Sequence, residues 1–228
     1  MAMALTFDRF DLGIDLRKDA AVSDANRLRE MKNAYVTTGL TTAKRPGFTK
    51  VGTLEAGTKG LFAAFGKLHT FYGKGAIKHS NTLFEAHKVA PKAGEKDVVD
   101  VWYADVFANF IYTSVEYADG TTLHHYLDGN ATTQIEDESC PHSKACFKTQ
   151  SKIFAVGKDG DVVRFCAAAK PRDWTAESDA GFIPTGMNAR GDRTAVALGL
   201  QRGRLAVLTR DSCQLWTVVP DPNNMGLY

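Results

Sequence analysis

The sequence has no long hydrophobic run and few cysteines. No stretch of its 228 residues approaches the roughly 18–20 consecutive apolar residues that a membrane-spanning helix needs. The opening residues, MAMALTFDRF, lack the basic segment and apolar core of a secretory signal. We therefore expect a protein that is made in a cytoplasm and does not insert into a membrane. Its four cysteines are expected to stay reduced there: Cys140, Cys146, Cys166 and Cys213.

Complete catalytic and cofactor motifs are also missing. The sequence contains no Gly-x-Ser-x-Gly elbow, no P-loop, no His-Glu-x-x-His and no Rossmann glycine fingerprint. Half of a zinc motif is present, as Cys140-Pro141-His142 with Cys146, but no Cys-x-x-Cys or His-x-x-x-His pair completes it. We therefore expect no enzymatic activity, no cofactor and no metal.

Two other groups of residues are weaker metal candidates. Adjacent residues on a strand point to opposite faces, so His124 and His125 cannot share a ligand directly. We expect one of these imidazoles to be buried and the other exposed. The acidic run Glu136-Asp137-Glu138 offers oxygen ligands, but Ca²⁺ needs about six to eight of them. A solvated loop is the preferred interpretation of that run.

Positive and negative charges are separated along the chain. Residues 41–96 contain ten Lys or Arg and three Asp or Glu, whereas residues 97–141 contain no Lys or Arg and nine Asp or Glu. This pattern fits two solvated faces of opposite sign, or a head-to-tail contact between subunits that builds a ring. Under the second interpretation the candidate interface residues are Lys67, Lys74, Lys78, Asp119, Glu136, Asp137, Glu138 and Trp174.

From about residue 60 the sequence predicts strands joined by turns. Gly66-Lys67 interrupts an apolar run and predicts a hairpin, and Asp119-Gly120 predicts a second one. Separate strands are expected at 98–101 and 106–112. Residues 128–148 form the longest segment without a strand signal, and we expect a contact loop there. Residues 17–34 carry a weak helical pattern that fits an irregular polar arm equally well.

The strand groups recur. Aromatic residues mark the end of four groups, from Phe84 through Tyr126 and Phe165 to Trp216, at an average spacing of 44 residues. Four-stranded propeller blades repeat about every 40–50 residues. We therefore predict an all-β, β-propeller-like domain with about four recognisable blades over residues 61–228, preceded by an irregular N-terminal arm and first strands over residues 1–60. A β-sandwich with long hairpins is the alternative.

Several short motifs are spread along most of the chain. In the first half they are NAYVTTG at 33–39, KRPG at 44–47, and GLF at 60–62 leading into GKL at 66–68. In the second half they are VRFCA at 163–167, DWT at 173–175, DAGFI at 179–183, GRLAVL at 203–208, LW at 215–216 and PDP at 220–222. In these motifs the sequence resembles podovirus tail proteins of the packaged-DNA stabilisation and tail-nozzle type.

The resemblance implies a structural, non-enzymatic protein of the virion tail. Such a protein forms a ring, expected to be a homohexamer, that continues or closes the DNA channel below the adaptor and portal. It retains the packaged genome until ejection, contacts a tip, needle or fibre protein, and lets double-stranded DNA pass without sequence specificity.

Two points remain open from the sequence. Members of that family are longer, so the remaining blades are expected in another chain or in further sequence, or the chain is a shortened relative. The rival functions are a tail-associated carbohydrate-binding or glycan-degrading propeller and a cellular interaction scaffold.

Overall fold

The computed structural model describes residues 31–32, 34–38, 41–107, 109–129, 131–149, 151–177, 179–187 and 191–217. The chain divides into two compact units, Met1–Thr53 and Leu54–Tyr228. In the first unit, β1 (Ala34–Val36) pairs antiparallel with β2 (Thr42–Lys44). The predicted helical pattern at 17–34 lies almost entirely outside the described residues, and our predicted boundary lay a few residues later, after residue 60.

The second unit contains four sheets in chain order. Sheet A consists of β3 (Lys59–Ala64), β4 (Lys67–Tyr72) and β5 (Phe84–Lys88), and sheet B of β6 (Val98–Phe107), β7 (Phe110–Tyr117), β8 (Thr122–Asp128) and β9 (Ala131–Gln134). Sheet C consists of β10 (Cys146–Lys148), β11 (Ile153–Val156), β12 (Val162–Phe165) and β13 (Gly181–Pro184), and sheet D of β14 (Ala195–Gln201), β15 (Arg204–Thr209) and β16 (Cys213–Trp216). Neighbouring strands are antiparallel except β4 and β5, which are parallel.

The prediction of an all-β protein is confirmed for the part of the chain that the structure describes. Its one helical segment there is a 3-10 turn, Thr185–Met187. No helix within those ranges is long and apolar enough to cross a bilayer. None of sheets A to D closes on itself there; each is a small open sheet in which neighbours in sequence are mostly neighbours in space.

Both predicted hairpins are confirmed as antiparallel strand pairs, although the first turn is Phe65-Gly66, one residue before the predicted Gly66-Lys67. Phe65 and Gly66 have φ of 48° and 74° and join β3 to β4, while Gly120 has φ of 79° between β7 and β8. Positive φ at both Phe65 and Gly66 fits the right-handed twist of a two-residue hairpin, whereas the longer turn between β7 and β8 has positive φ at Gly120 and not at Asp119. Phe65 is the unusual member, since a bulky side chain seldom adopts this conformation.

Two predictions about strands are wrong. The expected break between 101 and 106 does not exist, because β6 continues through it with shifts of register and turns only at Asn109, where φ is 68°. The expected long loop at 128–148 contains β9 and β10. These short strands, ATTQ and CFK, have little apolar alternation of their own and are fixed by pairing with β8 and β11.

Alternation along the strands sorts side chains into separate cores between successive sheets. On β11, Ile153 and Ala155 pack in a core shared with sheet B, whereas Phe154 and Val156 pack in a core shared with sheet D. Sheet B likewise shares a third core with sheet A. That third core contains Phe71, Val89, Val98, Ile111, Val115, Tyr117 and Leu127. Sheets A to D therefore pack face to face in chain order, with one core in each gap.

Candidate functional site

A cleft of about 190 Å³ lies between sheets A and B. The parallel pairing of β4 and β5 sets His69 opposite Glu85 and Phe71 opposite His87. Register partners and residues two apart share a sheet face, so His69, Glu85 and His87 project on the same side. The remaining residues that line the cleft are Phe65, Lys67, Ile111, Leu127 and Gly129.

The two histidines of the cleft are in direct contact. Their ring centroids are 5.0 Å apart with the planes inclined by 22°, and His69 Nδ1 lies 2.7 Å from His87 Nε2, so the rings meet edge to edge. His69 Nε2 lies 3.1 Å from the backbone carbonyl oxygen of Ala64, which can only accept a hydrogen bond. His69 therefore carries its hydrogen on Nε2, and its Nδ1 accepts the hydrogen bond that His87 Nε2 donates.

Charge in the cleft is balanced between a carboxylate and a lysine. Lys67 Nζ donates to Glu85 Oε2 at 2.9 Å, and this hydrogen bond is the main reason that the pKa of Glu85 is lowered. Burial, with the neighbouring His69 as a second cause, lowers the pKa of His87 to about 4. At neutral pH the cleft thus presents an ionised carboxylate beside an imidazole that is held neutral.

These three side chains form a possible ligand set for a metal ion. One ligand atom from each of His69, Glu85 and His87 lies within 4.8 Å of the others, and no other group of three His, Cys, Asp or Glu among the described residues satisfies this. No motif in the sequence predicted this site. The local pattern that could have indicated it is Glu85-Ala86-His87, in which two possible ligands stand two residues apart on one strand. His69 comes from β4 and reaches them only through the parallel pairing of β4 with β5.

The half zinc motif at 140–146 places its two cysteines on opposite sides of one imidazole ring. Cys140 Sγ lies 3.3 Å from His124 Nδ1, whereas Cys146 Sγ lies 3.6 Å from His124 Nε2, on the other side of the same ring. His142 is exposed. Burial raises the pKa of both thiols well above its usual range, so they stay protonated as core residues.

His124 and His125 do point to opposite faces, as predicted. Tyr112 Oη lies 2.7 Å from His124 Nδ1, while Tyr117 Oη lies 2.6 Å from His125 Nε2. The expectation that one of the two is exposed is wrong, because both are fully buried. Sheet B is covered by sheet A on one face and by sheet C on the other, which leaves no solvated side at this position.

Three of the predicted interface residues form ion pairs within the chain. Lys67 binds Glu85, Asp119 binds Lys96 at 2.5 Å, and Glu136 binds Lys92 at 2.8 Å. The last two pairs join the basic segment 41–96 to the acidic segment 97–141 of the same molecule. Part of the charge separation seen along the sequence is therefore neutralised internally.

The other predicted interface residues fall into two groups. Trp174 is buried in the core between sheets B and C, and its backbone N–H donates to Asp137 Oδ2 at 2.7 Å. The same carboxylate oxygen accepts a hydrogen bond from Thr175 Oγ1, so Asp137 fixes a neighbouring loop. The second group is exposed and makes no ion pair within the described ranges: Lys74, Lys78 and Glu138.

Comparisons with protein-family models, with curated proteins and with solved structures found no match to this chain. The fold and the cleft themselves define the class: an all-β protein of serially packed small sheets, with a histidine–glutamate cleft between the first two.

Proposed function

We propose that this chain is a structural, non-enzymatic protein of a bacteriophage tail. In this proposal sheets A to D are successive blades of a β-propeller-like subunit. The subunits associate into a ring that continues or closes the DNA channel and retains the packaged genome until ejection. The motif resemblance described above supplies the tail assignment, and the architecture supplies the support for a scaffold built of repeated sheets.

The observation that carries the proposal is the serial packing of sheets A to D. Two of them, sheets B and C, are complete four-stranded antiparallel meanders, which is the composition of a propeller blade. Each sheet packs on the next through its own apolar core. Radial repetition of such sheets protects their edges and gives a rigid body whose end loops are free to contact neighbours.

The outer face of sheet D supports a further neighbour in the stack. The strand register places Leu208 beside Cys213 and Ala206 beside Leu215, so these four residues share one face. Leu208 and Leu215 are 40% and 49% exposed, whereas Leu205 and Val207, on the opposite face, are buried against sheet C. An apolar sheet face in a succession of packed sheets favours a following blade or an adjacent subunit as its cover.

Three of the predicted charged interface residues remain exposed for a head-to-tail contact between subunits. Lys67, Asp119 and Glu136 have partners within the chain, which leaves Lys74, Lys78 and Glu138 as the exposed candidates for a head-to-tail contact. Ion pairs between exposed groups are screened by salt, so assembly through these residues weakens at high ionic strength.

The carbohydrate-binding alternative gains no support from Trp102 or Trp174. Trp174 is buried, and the Lys144 ammonium lies 4.8 Å from the ring centroid of Trp102, where a sugar would stack. Trp102 also donates to Glu116, which Lys144 binds.

Assembly of the purified chain tests the proposal. We expect ring-shaped oligomers by electron microscopy and light scattering, dissociating as salt rises. The double substitution Leu208→Glu and Leu215→Lys is expected to abolish them, whereas Val99→Glu, at an exposed apolar residue of sheet B, is the matched control. Protein that is monomeric at every salt and protein concentration, together with normal particles assembled from the double variant, would contradict the ring.

A further inference from the structure

We propose that His69, Glu85 and His87 bind a divalent transition-metal ion of the zinc type. One ligand atom from each of the three lies within 4.8 Å of the others. We assign the imidazole ligands to His69 Nδ1 and His87 Nε2, the two nitrogens that already face each other at 2.7 Å. Two imidazoles and one carboxylate, with a further position left for water, are a donor set that zinc accepts in proteins. The site is independent of the tail proposal and of the cysteines.

The hydrogen bonding of His69 fits a metal ligand. Histidines that bind metals usually donate their second ring N–H to a backbone carbonyl or a carboxylate, which fixes the ring and leaves the other nitrogen as a lone pair. His69 Nε2 makes this contact with Ala64 O at 3.1 Å. Its Nδ1 lone pair therefore points to His87, at the place where an ion would lie between the two rings.

Only a small movement separates the present contact from a metal-bound one. The two ligand nitrogens are 2.7 Å apart. Tetrahedral coordination at about 2.0–2.1 Å from each nitrogen requires roughly 3.3 Å between them. His87 then moves its hydrogen from Nε2 to Nδ1, so no proton leaves the site. His87 is half-buried and faces the cleft, which gives its ring room for that shift.

The fourth position opens into the cleft. Ile111, Leu127 and Gly129 of the neighbouring sheet line its far side and offer no charged side chain to the ion. The ligands come from β4 and β5 alone, so the ion would clamp this parallel pair. Lys67 is the competitor, since its ammonium occupies Glu85 Oε2.

Direct titration with Zn²⁺ tests the site in the full chain. All variants carry Cys213→Ser, because Cys213 is the exposed cysteine and a possible ligand. We expect one Zn²⁺ per chain by calorimetry and by metal analysis after dialysis. Glu85→Gln and His87→Gln are each expected to weaken binding at least about tenfold, whereas His142→Gln, at an exposed histidine, leaves it unchanged.

A gain-of-affinity variant keeps the test decisive if a ligand variant fails to fold. Lys67→Gln frees the carboxylate and is expected to tighten Zn²⁺ binding by up to about fivefold, with Lys74→Gln as the matched exposed-lysine control. Bound Co²⁺ should show tetrahedral visible bands without a thiolate charge-transfer band. The proposal is overturned if the parent binds no Zn²⁺, if both ligand variants that fold bind as the parent does, or if Lys67→Gln fails to tighten binding.

Discussion

His124 and His125 are neighbours on β8, and their imidazoles lie in two different cores. His124 packs with Trp174 and the cysteines between sheets B and C, with its ring centroid 6.4 Å from that of the indole. His125 lies on the other face, where Tyr117 Oη bridges it to the backbone carbonyl of Val89 at 2.5 Å. One sheet thus carries a buried imidazole on each face, and both are costly to protonate.

The paired histidines predict a loss of stability in mild acid. Burial lowers the pKa of His124 to about 4 and of His125 to about 3, from an ordinary value of 6.5. The unfolded chain therefore takes up protons below pH 6.5 that the folded chain excludes. The free energy of unfolding is therefore highest above pH 6.5 and falls as the pH drops. Each histidine lowers it by about 1 kcal/mol at one pH unit below 6.5.

Urea unfolding at about pH 7.5 and about pH 5.5 measures this loss, in a window above the range where carboxylates titrate. His125→Gln keeps a donor for Tyr117 and removes the titration, so the loss should shrink by about 1 kcal/mol. His142→Gln serves for comparison: burial lowers the pKa of His142 as well, but less than that of His125, so the loss should shrink less. An undiminished loss in His125→Gln would show that its exclusion from protonation is not the cause.

Tyr117→Phe is expected to destabilise the fold. The hydroxyl satisfies Val89 O and His125 Nε2 together, and His125 Nδ1 is already a buried nitrogen without a hydrogen-bond partner. Removing the bridge leaves two more buried polar groups unsatisfied, at a cost of about 1–3 kcal/mol. Tyr126→Phe is the matched control, because the Tyr126 ring is buried and its hydroxyl makes no hydrogen bond within the described ranges. Equal free energies of unfolding for the two variants would contradict this account.

Asp179→Ala is expected to cost more than a surface charge change does. Lys152 is buried, and its ammonium binds both the side chain of Asp179, at 2.6 Å, and its backbone carbonyl. The other carboxylate oxygen accepts from the Ala168 N–H at 2.7 Å. The substitution leaves the buried Lys152 ammonium without its carboxylate partner, and such a loss typically lowers the free energy of unfolding by about 3–5 kcal/mol. Thermal unfolding measures the effect against Asp159→Asn, on an exposed turn, and a stability equal to that control would refute it.

Gly73→Ala is expected to destabilise the link between sheets A and B. A Cβ on Gly73 would lie 1.9 Å from the carbonyl oxygen of Lys96, which is backbone and cannot turn away. Overpacking of this kind costs about 1–3 kcal/mol. Gly199→Ala is the control, since a Cβ there meets nothing within 4 Å, and it should be neutral or slightly stabilising. The denaturant midpoints of the two variants measure the difference in stability. A Gly73→Ala midpoint equal to that of Gly199→Ala would show that the backbone around Lys96 shifts to make room for the methyl group.

The sequence by itself determined the strand content and the tight hairpins. Alternating apolar residues need only the backbone geometry of the segment that carries them, and Phe65-Gly66 and Asp119-Gly120 form turns through their local backbone conformations. Only the tertiary structure decided which segments without a strand pattern became strands. The short strands β9 and β10 exist because β8 and β11 supply their hydrogen-bond partners.

The histidine–glutamate cleft was also decided at the tertiary level. Parallel pairing of β4 with β5 brings His69 beside Glu85 and His87. The residues between these two strands contain no pattern that predicts this contact. In the same way, the packing of sheets A and C on sheet B buries both His124 and His125. Local patterns encode conformation, whereas long-range pairing and burial follow from the free energy of packing all the sheets at once.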